Sequence, residues 1–138
     1  MIMQELGGYI STLEKVRLRD GLKHILNISR HGNGFLQATE PWKLVRGTDG
    51  ERALAGTAIG VCANITCLLS VLLQPYMPVI SKDLQKQLKA PAECNIICEK
   101  IYQLLPPGHK IGVPSPIFTK IEPDFLQSLK KKYGSASK

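Results

Sequence analysis

The sequence predicts an all-α fold, a helical bundle followed by an extended segment and one more short helix. Three observations carry that reading. Ala53–Leu73 holds no charged residue, and its apolar positions Leu54, Ala58, Val61, Ile65, Leu68 and Leu72 recur at intervals of three and four, the spacing of one buried helix face. Prolines and glycines gather at a few stops between apolar-periodic stretches, where they end helices. An apolar share of 43% with 21% charged residues over 138 positions suits one packed domain and not a disordered chain.

The elements follow in order. A first helix is predicted from Ile2 to about Gln37, with Leu18, Leu22, Ile25, Ser29 and Leu36 on one face. Gly21, Gly32 and Gly34 weaken it, so a kink or break is expected near His31–Gly34. Glu40-Pro41 stops it, because a residue before proline avoids the helical region. Gly47-Thr48-Asp49-Gly50 reads as a loop with capping residues, and the uncharged helix runs from there to Gln74-Pro75. Pro78 opens an amphipathic helix with Leu84 and Leu88 inward and Lys82, Lys86 and Lys89 outward. A further helix is predicted over Glu93–Leu105, with Ile97, Ile101 and Leu104 in register, until Pro106-Pro107-Gly108 ends it. His109–Ile121 contains Pro114 and Pro116 and should be extended. Pro123 suits the first position of a final helix reaching Tyr133, and Gly134–Lys138 reads as a frayed tail. Residues 1–105 thus form the bundle and residues 106–138 the extended segment with its terminal helix.

The uncharged stretch is long enough to test as a membrane span, and Gly56 and Gly60 form a small-xxx-small pair. Thr57, Asn64, Thr66 and Ser70 interrupt it and no aromatic belt flanks it, so a core helix is expected and no membrane partner. The start, Met1-Ile2-Met3-Gln4-Glu5, shows no secretory signal. Cys62, Cys67, Cys94 and Cys98 are spaced C-x4-C and C-x3-C, which misses the C-x2-C of zinc knuckles. On a helix, Cys94 and Cys98 would share a face. Reduced thiols packed as small hydrophobes are expected, with no metal site, and a cytoplasmic location.

No phosphate loop or dinucleotide fingerprint is present. His24, His31 and His109 lack partners arranged for catalysis, and His109, in a loop, is expected to bond a backbone group. No catalytic residue and no cofactor is assigned to the chain. The net charge of +7 and pI near 9.4 instead favour an anionic partner, nucleic acid first. Arg19, Lys23 and Arg30 fall along one strip of the first helix, and Pro41, Trp42, Lys43 and Arg46 follow its end. A lone Trp held by a rigid Pro, with cations beside it, is a surface on which an unpaired base stacks. The alternative is that Trp42 fills the gap between two helices.

The run Ser29-Arg30-His31-Gly32-Asn33-Gly34-Phe35-Leu36-Gln37-Ala38-Thr39-Glu40-Pro41-Trp42-Lys43 resembles the helix and Pro-Trp turn in the anticodon-binding domain of methionyl-tRNA synthetases. Leu72-Leu73-Gln74-Pro75-Tyr76-Met77-Pro78 resembles the apolar helix with a Pro-x-x-Pro step found in class I synthetases of that subgroup. Leu105-Pro106-Pro107-Gly108-His109-Lys110-Ile111-Gly112 through Ile121 is similar to the segment closing the methionyl enzyme's core. The combination, in this order over about residues 10–133, points to the cytosolic eukaryotic type.

The resemblance implies a part in an ATP-dependent ligase that attaches methionine to tRNA(Met), with ATP and methionine used by the full-length enzyme. It implies that Trp42 stacks on a base of the CAU anticodon, with Pro41 setting its position. Arg19, Lys23, Arg30, Lys43 and Arg46 are the candidate phosphate contacts. The family's other anticodon contacts, an Asn and an Arg, lie on a helix before the region matched here. The signatures His-Ile-Gly-His and Lys-Met-Ser-Lys-Ser and the zinc-bearing insertion are absent, so the bundle is expected to be incomplete at its N-terminus and separate from the catalytic domain. Implied partners are tRNA(Met), that catalytic domain and other synthetases of a multi-enzyme complex. A stand-alone helical RNA-binding or scaffold module is the alternative.

Overall fold

The computed structural model describes residues 1–97, 104–118, 120 and 122–134. The helices are α1 (Ile2–Glu14), α2 (Leu18–Thr39), the single turn α3 (Pro41–Leu44), α4 (Asp49–Leu72), α5 (Pro78–Leu88) and α6 (Pro123–Tyr133), with a 3-10 turn at Ala92–Asn95. Among the described residues there is no strand. The fold is all-α, as predicted.

The predicted first helix is two helices. Its break lies at Lys15–Arg17 and not at His31–Gly34, which is helical throughout. Val16 takes a left-handed conformation (φ 57°) there, and the Arg17 N–H reaches back to the Thr12 carbonyl at 2.8 Å. No Pro or Gly marks this turn, so its cause is tertiary: α1 folds back along α2. Of the glycines that read as weak points, Gly21 and Gly32 are packing positions: a Cβ on Gly21 would stand 2.4 Å from the Tyr76 hydroxyl and one on Gly32 3.2 Å from the Ile65 side chain, whereas Gly34 faces open space. The reversal also moves the buried face. Ile25 and Ile28 are in the core, whereas Leu18 and Leu22 of the predicted stripe are exposed.

Helix α4 is the hub on which α2, α3 and α5 pack. It starts from a capping box: the Thr48 hydroxyl accepts from the Glu51 N–H, and the Thr48 N–H donates to the Glu51 carboxylate at 2.7 Å. Asp49 and Gly50, predicted as loop, form its first turn. The second half of α4 is core, with Ile65, Cys67, Leu68 and Leu72 packed among Leu6, Tyr9, Ile25 and Ile28, and Val71 also buried. The Tyr9 hydroxyl donates to the Leu72 carbonyl at 2.9 Å and ties α1 to the end of α4. The first half departs from prediction. Ala55 and Ala58 are buried, but Leu54 and Val61 of the predicted inner face are exposed, as is Ile59. The helix is apolar and long enough to cross a membrane by composition, yet only its second half has neighbours on most sides.

Helix α5 follows prediction, with Leu88 buried, Leu84 half-buried and Lys82, Lys86 and Lys89 exposed. The helix expected over Glu93–Leu105 does not form at its start. Ala92–Asn95 is a 3-10 turn and Ile96 is extended, because the buried Cys94 points its thiol at the Leu104 carbonyl, 3.1 Å away, and draws the chain in. Cys98 and Ile101 lie outside the described residues, as does the tail after Gly134. Leu104 and Leu105 are buried in a bend. Pro107-Gly108 form a turn, residues 109–116 carry no regular element, and α6 begins at Pro123 and ends at Tyr133 as the sequence indicated. Helix α6 buries none of its residues.

Candidate nucleic-acid interface

The Pro-Trp step forms a built corner. α2 ends at Glu40 in the left-handed region (φ 41°), its N–H still bonded to the Leu36 carbonyl at 3.1 Å. Pro41 then occupies the first position of α3, where its missing N–H costs nothing. Pro41 is buried, α3 packs against α4, and Val45 N–H closes the turn on the Pro41 carbonyl at 3.0 Å. Trp42 projects from this short rigid turn with 49% of its surface exposed. Within the same turn Pro41 is buried and Leu44 half-buried. About half of the indole is therefore open to a partner at this corner.

The candidate cations divide into two groups. Lys43 and Arg46 stand beside Trp42, both exposed. Lys43 is held by Glu40 at 2.8 Å, while Arg46 has no ion pair among the described residues. Arg19, Lys23 and Arg30 share one exposed face of α2, as their spacing requires. They lead away from the corner, however, since Arg19 lies ~30 Å along the helix axis from Thr39. Lys23 is paired with Asp20 at 2.9 Å, and Arg30 donates to the Asn27 side-chain oxygen at 2.8 Å. Arg19 carries no partner among the described residues. Uncompensated positive charge nearest Trp42 therefore belongs to Arg46.

Sequence reasoning missed two features here. Phe35 (37% exposed) and Val45 (49% exposed) flank the Pro-Trp step in sequence and widen the exposed apolar surface. Asn27 and Arg30 also belong to a polar cluster between α1 and α2. His24 Nδ1 lies 2.6 Å from a Glu5 carboxylate oxygen, and the Asn27 amide donates to both Glu5 oxygens at 3.3 Å. The His24 hydrogen bond, with that from Asn27, holds the Glu5 carboxyl below the usual range. The signal was a Glu on α1 and a His on α2, which no local pattern pairs.

Among the described thiols, Cys67 and Cys94 are buried and Cys62 half-buried. Burial, then the neighbouring Cys94 thiol, pushes Cys67 up to about 12, and burial raises Cys62. Such thiols stay protonated near neutral pH and are poor nucleophiles. His109 bonds the Leu88 carbonyl at 2.7 Å, the backbone role expected of it.

With this geometry the comparison with known proteins is direct. A family model described as the anticodon-binding domain of methionyl tRNA ligase matches residues 1–138. The chain belongs to that family. It is similar to the cytoplasmic methionine–tRNA ligase of Homo sapiens, 49% identical over 131 residues, which covers 94% of this chain and 15% of that protein. The corresponding protein of Mus musculus is 48% identical over 131 residues, 94% of this chain and 14% of that protein. That of Arabidopsis thaliana is 33% identical over 136 residues, 93% of this chain and 17% of that protein. The chain thus spans about 15% of the length of the first of these relatives.

Proposed function

We propose that the chain is the tRNA(Met)-recognising part of a cytoplasmic methionine–tRNA ligase, the enzyme that attaches methionine to its tRNA at the expense of ATP. In this reading Trp42 stacks on an anticodon base, Pro41 fixes its direction, and Arg46 with Lys43 neutralises nearby phosphates. Arg30, Lys23 and Arg19 then follow the RNA backbone away from the anticodon. Methionine and ATP are handled by the catalytic domain of the same enzyme, and association with other synthetases is a role for the whole protein. The observation that carries the reading is the half-bare indole on a turn anchored by the buried Pro41.

The division at residue 105 is also a proposal. An apolar groove of about 1040 Å3 opens between the first half of α4 and the segment after Leu105, lined by Gly56, Gly60, Val61, Leu105, Pro107 and Ile111 among others. Apolar surface of this extent suits burial against another part of a longer polypeptide.

Titration of Trp42→Ala and the parent with tRNA(Met), and with the same tRNA carrying a changed anticodon, tests the function. Loss of one stacked base, ~1–3 kcal/mol, corresponds to about 5–150-fold weaker binding of the CAU form. The changed form should lose far less. Equal loss for both tRNAs, or a large fall in thermal stability with both, would reject the stacking role.

A further inference from the structure

The lysines of α5 are a second basic feature, and nothing above uses them. Lys82 and Lys86 lie at i and i+4 on one strip of α5, and Lys89 follows at its C-cap in the left-handed region (φ 48°). All three are exposed. The chain returns to this strip through four hydrogen bonds. His109 bonds the Leu88 carbonyl at 2.7 Å, Gly112 N–H donates to the Gln87 carbonyl at 2.7 Å, and the Gln87 amide both accepts from Ser115 N–H (2.9 Å) and donates to the Ser115 hydroxyl (3.0 Å). A Cβ on Gly112 would meet that Gln87 carbonyl at 3.1 Å and the Lys89 stem at 3.7 Å, so glycine permits the close docking. The docked segment brings the exposed Lys110 to the same end of α5.

Among the described residues, this cluster lacks the compensation that several other cations have, as do the separate Arg19 and Arg46. Arg17 and Lys23 share Asp20, Lys43 has Glu40, and Arg52 has Asp49. Among the described residues, none of Lys82, Lys86, Lys89 and Lys110 has an ion pair, and Asp83 is the one carboxylate within the α5 strip. Lys130, Lys131 and Lys132 are also unpaired among the described residues, but as consecutive helical positions they point to different sides of α6 and form no row.

We propose that Lys82, Lys86, Lys89 and Lys110 form a second contact with tRNA, binding a short run of backbone phosphates without reading sequence. This rests on the reading of the chain as a tRNA-binding domain. Its chemistry differs from that of Trp42: four exposed ammonium groups release counterions on binding and are indifferent to the bases.

The test replaces all four lysines with Gln and titrates parent and variant with tRNA(Met) and with its changed-anticodon form across a range of salt. Each phosphate contact contributes ~0.7–0.9 to the slope of log affinity against log salt. The variant slope should be shallower by about 3, with both tRNAs weakened alike and the thermal midpoint unchanged. From 50 to 200 mM salt, the parent should lose roughly 50–150-fold more affinity than the variant. An unchanged slope in a folded variant overturns this inference alone, as does a loss confined to the CAU form. Retained tRNA binding with lost attachment to phosphatidylserine vesicles assigns the strip to a membrane surface and also overturns it. A parent that binds neither tRNA overturns this inference together with the reading beneath it.

Discussion

Removing the Asn64 side chain should loosen the chain at a point 41 residues away in sequence. The Asn64 carboxamide faces the backbone of Leu105, accepting its N–H at 2.9 Å and donating to its carbonyl at 3.3 Å. Leu105 is buried, so neither backbone group regains full hydration when its partner is lost. At ~0.5–1.5 kcal/mol net for each hydrogen bond, Asn64→Ala should cost about 1–3 kcal/mol. With an unfolding entropy of ~2.1 cal/mol/K per residue, a chain of this size should melt lower by roughly 3–10 °C. Asn64→Asp keeps the acceptor for Leu105 N–H and loses the donor, so it should fall between parent and Ala. Circular dichroism melting gives the order, and hydrogen exchange at the Leu105 amide gives the location. A melt of Asn64→Ala within 1 °C of the parent, with Leu105 still protected, would show that the segment docks through its apolar contacts and that the amide clamp contributes nothing.

Val16 is 78% exposed and holds a left-handed conformation that costs a β-branched residue ~1–2 kcal/mol. Val16→Gly should therefore raise the thermal midpoint by a few degrees, after the ~0.5–1 kcal/mol of extra unfolded-state entropy that glycine brings; a lower midpoint would contradict the strain. The Glu5 carboxyl is held below its ordinary range by His24. Its contribution is fully present above the unfolded carboxylate range and is lost as pH falls through the lowered folded value. Glu5→Gln should accordingly flatten the acid limb of a pH–stability curve, and an unchanged limb would remove the pair from the account. In a Cys98→Ser background, native-state alkylation followed by peptide mapping should modify Cys62 well before Cys67 and Cys94, because only Cys62 is partly accessible. Equal rates would mean that the core opens as readily as the groove.

Local sequence chemistry determined the elements whose causes are local. Pro78 and Pro123 each open a helix where the sequence placed one, and Pro41, read as a stop, ends α2 and opens the single turn α3, because proline's fixed φ and missing N–H act within one turn. Thr48 and Glu51 likewise cap α4 without outside help. The Pro-Trp corner and its family were legible for the same reason, as a short contiguous motif. Tertiary structure decided what depends on distant neighbours. The chain reverses at Val16, which carries no turn signal, because α1 gains Tyr9–Leu72 and Glu5–His24 contacts by folding back. Glu93–Leu105 had helical spacing, yet its start is drawn into a 3-10 turn by the burial of Cys94 against Leu104. Periodicity marked Leu54 and Val61 as inward, and it was right about the helix but blind to which of its turns have neighbours. A repeat of three and four fixes a face, while the occupant of the space opposite that face is set by residues far along the chain.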